Sequence, residues 1–325
     1  MTCAAIMGCG SSTSPPVSGS ASRAQTGCIS GTTPLLPRTL DQTSDFFTAL
    51  AWHGDSVLAT STEALRSYPL VGDPPMTLVH GDLSGLVVVG ETAYFVETNT
   101  PSVQSVPVGG GTPKLLVNMP LPGEGAITDG EALYFTGYGG GIVRISLADS
   151  TIKTLPLPPG TSPNALAVHG GFVYVAGEDL RAASGTLMNG LIARVSISAG
   201  VAEAIVVGVG HTWNLVADPG GLTWVQDPPS LEGSGSIVRA NFDGTGIRTL
   251  ANHGASALAV SGSDLYVANG SISKISLAGG AETVLVPGLK APALLIVGDG
   301  NAAWVDPATR ALSDTTPSAV MTTCW

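Results

Sequence analysis

The stretch Ala257-Leu258-Ala259-Val260-Ser261-Gly262-Ser263-Asp264-Leu265-Tyr266-Val267-Ala268-Asn269-Gly270 runs on as Ser271-Ile272-Ser273-Lys274-Ile275-Ser276-Leu277-Ala278-Gly279-Gly280-Ala281-Glu282-Thr283-Val284-Leu285-Val286. Two short apolar runs flank the turn at Ser261-Gly262-Ser263-Asp264. Asn269-Gly270 is the pairing that favours tight hairpins, because both residues tolerate positive φ. Ile272 to Leu277 alternates apolar with polar, as a half-buried strand does. A last turn at Ala278-Gly279-Gly280 leads to Glu282-Thr283-Val284-Leu285-Val286. The stretch therefore reads as four consecutive antiparallel strands.

The same plan recurs along the chain. A glycine is followed four residues later by a large apolar or aromatic residue at Gly54/Leu58, Gly90/Tyr94, Gly130/Tyr134, Gly170/Tyr174, Gly220/Trp224, Gly262/Tyr266 and Gly300/Trp304. Successive glycines lie 36, 40, 40, 50, 42 and 38 residues apart. A period near 40 built from four strands is the signature of a β-propeller. The fold expected is all-β, a seven-bladed propeller of four-stranded antiparallel blades, with the core spread between neighbouring sheets. The aromatic slot, Trp224 and Trp304 included, is assigned to packing. In the third-strand slot Arg144, Arg194, Arg239 and Lys274 recur; the same place in several blades points to a seam, where the basic heads snorkel over a neighbouring blade.

Composition agrees. With aromatics at 5% and charged residues at 11%, packing must rest on Val, Leu, Ile and Ala. The net charge of −11, with no concentration of Lys or Arg, excludes a surface that displaces counterions from nucleic acid, and favours cationic or neutral ligands. A monomer is expected.

The N-terminus differs. Residues 10–27 are Ser, Thr, Pro, Gly and Ala with few other residues, a tether by composition. Residues 1–27 are read as a truncated signal and tether, and residues 28–325 as one propeller domain whose two ends meet in the last blade. Cysteines are few. Cys28 precedes the ring and Cys324 is penultimate, and a Cys28–Cys324 disulfide would close nearly the whole chain, the case in which loop entropy predicts its largest effect. Residues 28–40 are expected against the last blade, with Gly31-Thr32-Thr33-Pro34-Leu35-Leu36 as turn and outer strand.

Leu222-Thr223-Trp224-Val225-Gln226-Asp227 and Ile237-Val238-Arg239-Ala240-Asn241-Phe242-Asp243-Gly244 resemble a repeat of the YWTD propellers of lipoprotein-receptor type. Leu265 to Asn269 and Ala165 to Val168 are similar to NHL-type and other bacterial surface propellers. Rings of these types often have six blades, which keeps six as the alternative to seven. Ile6-Met7-Gly8-Cys9 resembles a bacterial lipobox. That resemblance implies acylation at Cys9 and a place in the bacterial cell envelope, as an outer-membrane or periplasmic lipoprotein, or else secretion. Any membrane contact would be through that anchor.

Site candidates come from departures from the repeat. Blade four carries an insertion from Gly177-Glu178-Asp179-Leu180-Arg181 to Asn189-Gly190, and blade five another at Gln226-Asp227-Pro228-Pro229-Ser230-Leu231-Glu232-Gly233. Both share a face with His211-Thr212-Trp213-Asn214, which leads into an innermost strand. Glu178, Asp179, Arg181, His211, Trp213, Asp227 and Glu232 are therefore the ligand-face candidates, with carboxylates and a histidine suited to a Ca²⁺ ion or to acid/base work. Their other reading is as solvated loop residues. No cofactor is expected otherwise. Residues starting the innermost strands are mostly apolar, including Ala49-Leu50, Gly85-Leu86 and Ala293-Leu294. That favours a non-catalytic scaffold binding a protein, peptide or glycan over a metal-dependent hydrolase or lyase, lactonase-like or polysaccharide-cleaving, at the channel mouth.

Overall fold

A computed structural model of the chain describes residues 38–43, 45–70, 73–119, 125–137, 141–182, 189–228, 235–298, 300–306 and 318–324. The described strands form seven four-stranded antiparallel sheets and no helix. Blades one, two, three and six occupy residues 47–80, 83–118, 126–156 and 257–286 in sequence order from innermost to outer strand. Blade four comprises Thr161–His169, Phe172–Asp179, Gly190–Ser196 and Ala202–Val209. Blade five comprises Thr212–Asp218, Gly221–Gln226, Ser236–Ala240 and Arg248–Ala251. Blade seven takes Ala293–Gly298, Asn301–Val305 and Ser318–Cys324 from the C-terminal end and its outer strand, Arg38–Thr43, from the N-terminal end.

That last pairing closes the ring. Thr39 opposes Met321 and Gln42 opposes Ala319. The outer strand thus lies at Arg38–Thr43, later than the expected 31–36; Gly31 to Leu36, like Cys9 and Cys28, falls outside the described residues.

Seven apolar clusters fill the seven seams between blades. The alternation of each strand produces this, since odd and even residues face opposite neighbours. In blade four, Val173 and Val175 pack toward blade three while Tyr174 packs toward blade five. The turn between first and second strands asks for positive φ, and six of the seven repeat glycines supply it, at 52° to 87°.

The exception is informative. Asp218 pairs with Gly221, so Pro219 and Gly220 form the turn of blade five, whereas His169 pairs with Phe172 around Gly170-Gly171 in blade four. The glycine of the motif is then the second turn residue, not the first, and everything after it slips by one. Gly300 holds the same second place in blade seven, where Gly298 pairs with Asn301. A one-residue slip turns a side chain to the other face of a sheet. Trp224 and Trp304 are fully buried as expected, but they do not occupy the tyrosine slot: each packs back on the preceding blade, beside Tyr174 and Tyr266 respectively. Thr223 and Ala303 stand in that slot instead.

Of the third-strand cations only Arg194 reaches over a neighbouring blade among the described residues, as foreseen, whereas Arg239 is buried and paired with Asp218 of its own blade. Arg144, Arg194 and Lys274 each oppose the tyrosine of their blade. Arg194 lies over the Phe172 ring, 5.3 Å from its centroid, and reaches the Phe242 carbonyl of blade five. Lys274 pairs with Asp264 at 3.2 Å.

Candidate functional site

Up-and-down strands place the second-to-third loops and the connections between blades on one face of the ring, here named the front face. Five innermost strands bulge near that face, between Phe47/Ala49, Ser84/Val87, Pro163/Ala165, Trp213/Val216 and Ala293/Ile296. A bulge takes a residue out of the ladder and re-aims its side chain. In blade four that residue is Asn164, whose amide donates to the Thr212 carbonyl at 2.9 Å and lies 3.1 Å from His211 Nε2.

Three backbones meet at this point because two of them present glycine there. A Cβ on Gly190 would stand 1.9 Å from the Gly210 carbonyl oxygen, and one on Gly210 would stand 2.1 Å from that of Asp227. Thr212, fully buried, has its hydroxyl 2.8 Å from the Gly177 carbonyl and 3.1 Å from that of Leu191. Asp227 donates its N–H to the His211 carbonyl at 2.9 Å. The ends of blades four and five are locked together before any side chain of the site is considered.

His211 is held in this frame. Its Nε2 is 2.6 Å from Glu178 Oε1, and its Nδ1 is 3.6 Å from Asp227 Oδ2. Glu178 also accepts from the Asn189 amide at 3.2 Å. The Trp213 ring stands 5.2 Å from the imidazole, centroid to centroid, with its indole N–H donated to the Ala255 carbonyl at 3.1 Å. Of the side chains, Glu178 is 28%, His211 38% and Asp227 49% exposed. The patch is therefore open to a ligand while its backbone is fixed.

Glu178, His211, Trp213 and Asp227 are thus brought together. Asp179 and Arg181 are not part of the cluster and turn to each other, with Arg181 Nε and Nη2 each 2.9 Å from an Asp179 oxygen. The guanidinium and the Arg181 backbone N–H hold the Asp179 carboxyl down at about 2. Leu180 between them is 66% exposed. Glu232 lies outside the described residues. Asn164 and Asn189 were missed as site residues; the available signal for Asn164 was an asparagine at the front end of an innermost strand, shared with Asn214 of blade five, where the other blades carry Ala or Gly.

Chemically, the patch offers carboxylate and amide acceptors beside an aromatic face. The two carboxylates approach opposite nitrogens of one ring, so they do not converge on a shared point. Among the described residues no group of three or more His, Cys, Asp or Glu is placed to hold a metal ion, and no helix is long and apolar enough to cross a membrane.

No protein-family model matches the chain, and no curated protein matches it. The computationally designed Ika8 protein superposes with a TM-score of 0.57 at 12% identity, over 87% of this chain and 98% of that one. A chain from the crystal structure of the nidogen/laminin complex superposes with a TM-score of 0.53 at 18% identity, over 72% of this chain and 94% of that one. The chain is a seven-bladed β-propeller. Identities this low carry the fold alone, so the propeller's function has to be read from its own residues.

Proposed function

We propose that this propeller is a non-catalytic scaffold that binds a protein, peptide or glycan on its front face, at the seam of blades four and five. The observation that supports this is the convergence there of Glu178, His211, Asp227, Asn164 and Trp213 from two blades, half-exposed on a glycine-locked backbone. Functional residues concentrate on loops held by a rigid scaffold. A carboxylate-lined patch with an aromatic wall suits ammonium, guanidinium or sugar hydroxyl groups, and exposed Leu180 beside it offers an apolar anchor to a peptide.

The test is selection against a peptide library and a glycan array, followed by Trp213→Ala and Asp227→Asn. Both substitutions should weaken the selected ligand by about tenfold or more, while Val284→Asp on the outer strand of blade six leaves it unchanged. A ligand insensitive to the front-face changes, or one released as a cleaved product, would overturn the reading.

Export belongs to the same proposal. Acylation at Cys9 predicts a lipid mass on the mature N-terminus, and a Cys28–Cys324 bridge predicts that neither thiol labels before reduction. The pairing of Arg38–Thr43 with Ser318–Cys324 supports the bridge by bringing the two ends of the chain into one blade.

A further inference from the structure

Two Asn-Gly steps stand in the chain, Asn189-Gly190 and Asn269-Gly270. The side-chain amide is the same and the backbone around it differs. Gly190 is buried in the third strand of blade four, paired with Glu178 on one side and Val209 on the other, and a Cβ there would stand 1.9 Å from the Gly210 carbonyl oxygen. The Asn189 carbonyl accepts the Asp179 N–H at 2.7 Å. That segment cannot bend without breaking the join between blades four and five.

Asn269-Gly270 is placed the other way. Both residues are exposed, in the front-face turn between the second and third strands of blade six. Gly270 has a φ of 62°, a Cβ there would meet nothing within 4 Å, and its N–H has no partner among the described residues. A glycine nitrogen has no Cβ beside it to keep the preceding carboxamide away, which makes asparagine in this setting chemically labile. The turn also ties blade six to its surroundings. Asn269 Nδ2 donates to the Gly254 carbonyl at 3.0 Å, on the connection arriving from blade five, and lies 3.3 Å from His253 Nδ1. The Gly270 carbonyl accepts the Leu289 N–H at 3.0 Å, on the connection leaving for blade seven.

We propose that Asn269 is a site of spontaneous deamidation, and that the modification loosens blade six where its front turn meets these two connections. The Gly270 nitrogen gives its proton to solvent and bonds to Asn269 Cγ; the Cγ–Nδ2 bond breaks, and ammonia leaves with a proton taken from water. Water then opens the cyclic imide. Cleavage between the nitrogen and Cγ gives aspartate, and cleavage between the nitrogen and the α-carbonyl carbon gives isoaspartate, in which the chain continues through the former side chain. Nothing is oxidised or reduced. Either product lacks the N–H that the Gly254 carbonyl receives and sets a carboxylate beside that carbonyl. Isoaspartate also adds a backbone atom to a turn that Ala268 and Ile272, paired across it, hold at its present length.

The full chain, kept in warm neutral buffer made with ¹⁸O-labelled water, is mapped by mass spectrometry. Acid carrying the heavy oxygen, part of it isoaspartate, should accumulate at Asn269 while Asn189 keeps its amide. In denaturant the two sites should react alike, because the dipeptide is the same. Gly270→Ala should suppress the product at Asn269, and the reacted chain should denature at a lower temperature than the fresh one. No product at Asn269, equal reaction at Asn189 and Asn269 in the folded chain, or a reacted chain as stable as the fresh one would each overturn the proposal. Should Gly270→Ala fail to fold, the comparison of the folded with the denatured chain decides alone.

Discussion

Arg239 and Asp218 form a two-point ion pair inside blade five. Arg239 Nη2 is 2.8 Å from Asp218 Oδ1, Arg239 Nη1 bonds Asp218 Oδ2 and also donates to Thr223 Oγ1 at 3.0 Å, and the two side chains are only 8% and 5% exposed. The pair exists because Thr223, not an aromatic ring, stands across from Arg239. Removing one partner leaves an uncompensated buried charge, which costs about 3–5 kcal/mol. Asp218→Asn should therefore lower the urea midpoint strongly, and Asp218→Leu with Arg239→Met should recover most of the loss. Equal loss in single and double variants would refute this account.

Gly210→Ala would place a Cβ against the Asp227 carbonyl, in a position where only backbone can yield. The expected cost is about 1–3 kcal/mol or more, together with weakened ligand binding, since His211 is the next residue. Gly54→Ala serves as the control. Its Cβ would meet nothing within 4 Å, so it should cost only about 1 kcal/mol, for the positive φ of 52°, and leave binding intact.

His253 Nε2 lies 2.7 Å from Glu282 Oε2, and its Nδ1 lies 2.9 Å from the Gly254 carbonyl. Burial pulls its pKa down, but the Gly254 and Glu282 bonds outweigh this and the net direction is up. A raised folded-state pKa stabilises fully below the unfolded value of about 6.5 and loses that effect as pH climbs through the folded value. His253→Gln should thus cost about 0.5–1 kcal/mol at pH 5.5 and less at pH 8.5. Thermal denaturation at the two pH values decides it; a larger cost at the higher pH is the contrary result.

The outer strand of blade seven holds the ring shut and also carries Asp41, which accepts from the buried Tyr68 hydroxyl at 3.0 Å. Tyr68→Phe removes one hydrogen bond and should cost about 1 kcal/mol. Deleting residues up to Thr43 should cost far more, because Ser318–Cys324 becomes an open edge. Limited proteolysis is expected to cut the deleted chain in blade seven first; protection equal to the full chain would contradict the closure.

Much of this was legible in the chain. Asn269-Gly270 and the glycine repeat announce the turns, and the long interval between Gly170 and Gly220 marks the blade that differs. His211 and Asp227 were legible as neighbours because topology assigns their loops to one face. Asn164 was visible only as a polar residue in an apolar strand; the bulge that aims it at His211 has no signature of its own.

What the sequence alone determined is the four-strand repeat and its turns, because turn chemistry and a two-residue alternation are local properties; the choice of seven blades over six was made by the seven sheets of the structure. The direction in which Trp224 and Trp304 face was settled only in three dimensions. It depends on whether the motif glycine is the first or second residue of its turn, and that choice is made by the pairing of Asp218 with Gly221 and of Gly298 with Asn301. The same holds for the two carboxylates on His211. Their loops were foreseen on one face, but a contact of 2.6 Å is set by Gly190 and Gly210 letting three backbones close, and close packing has no periodicity for a sequence to display.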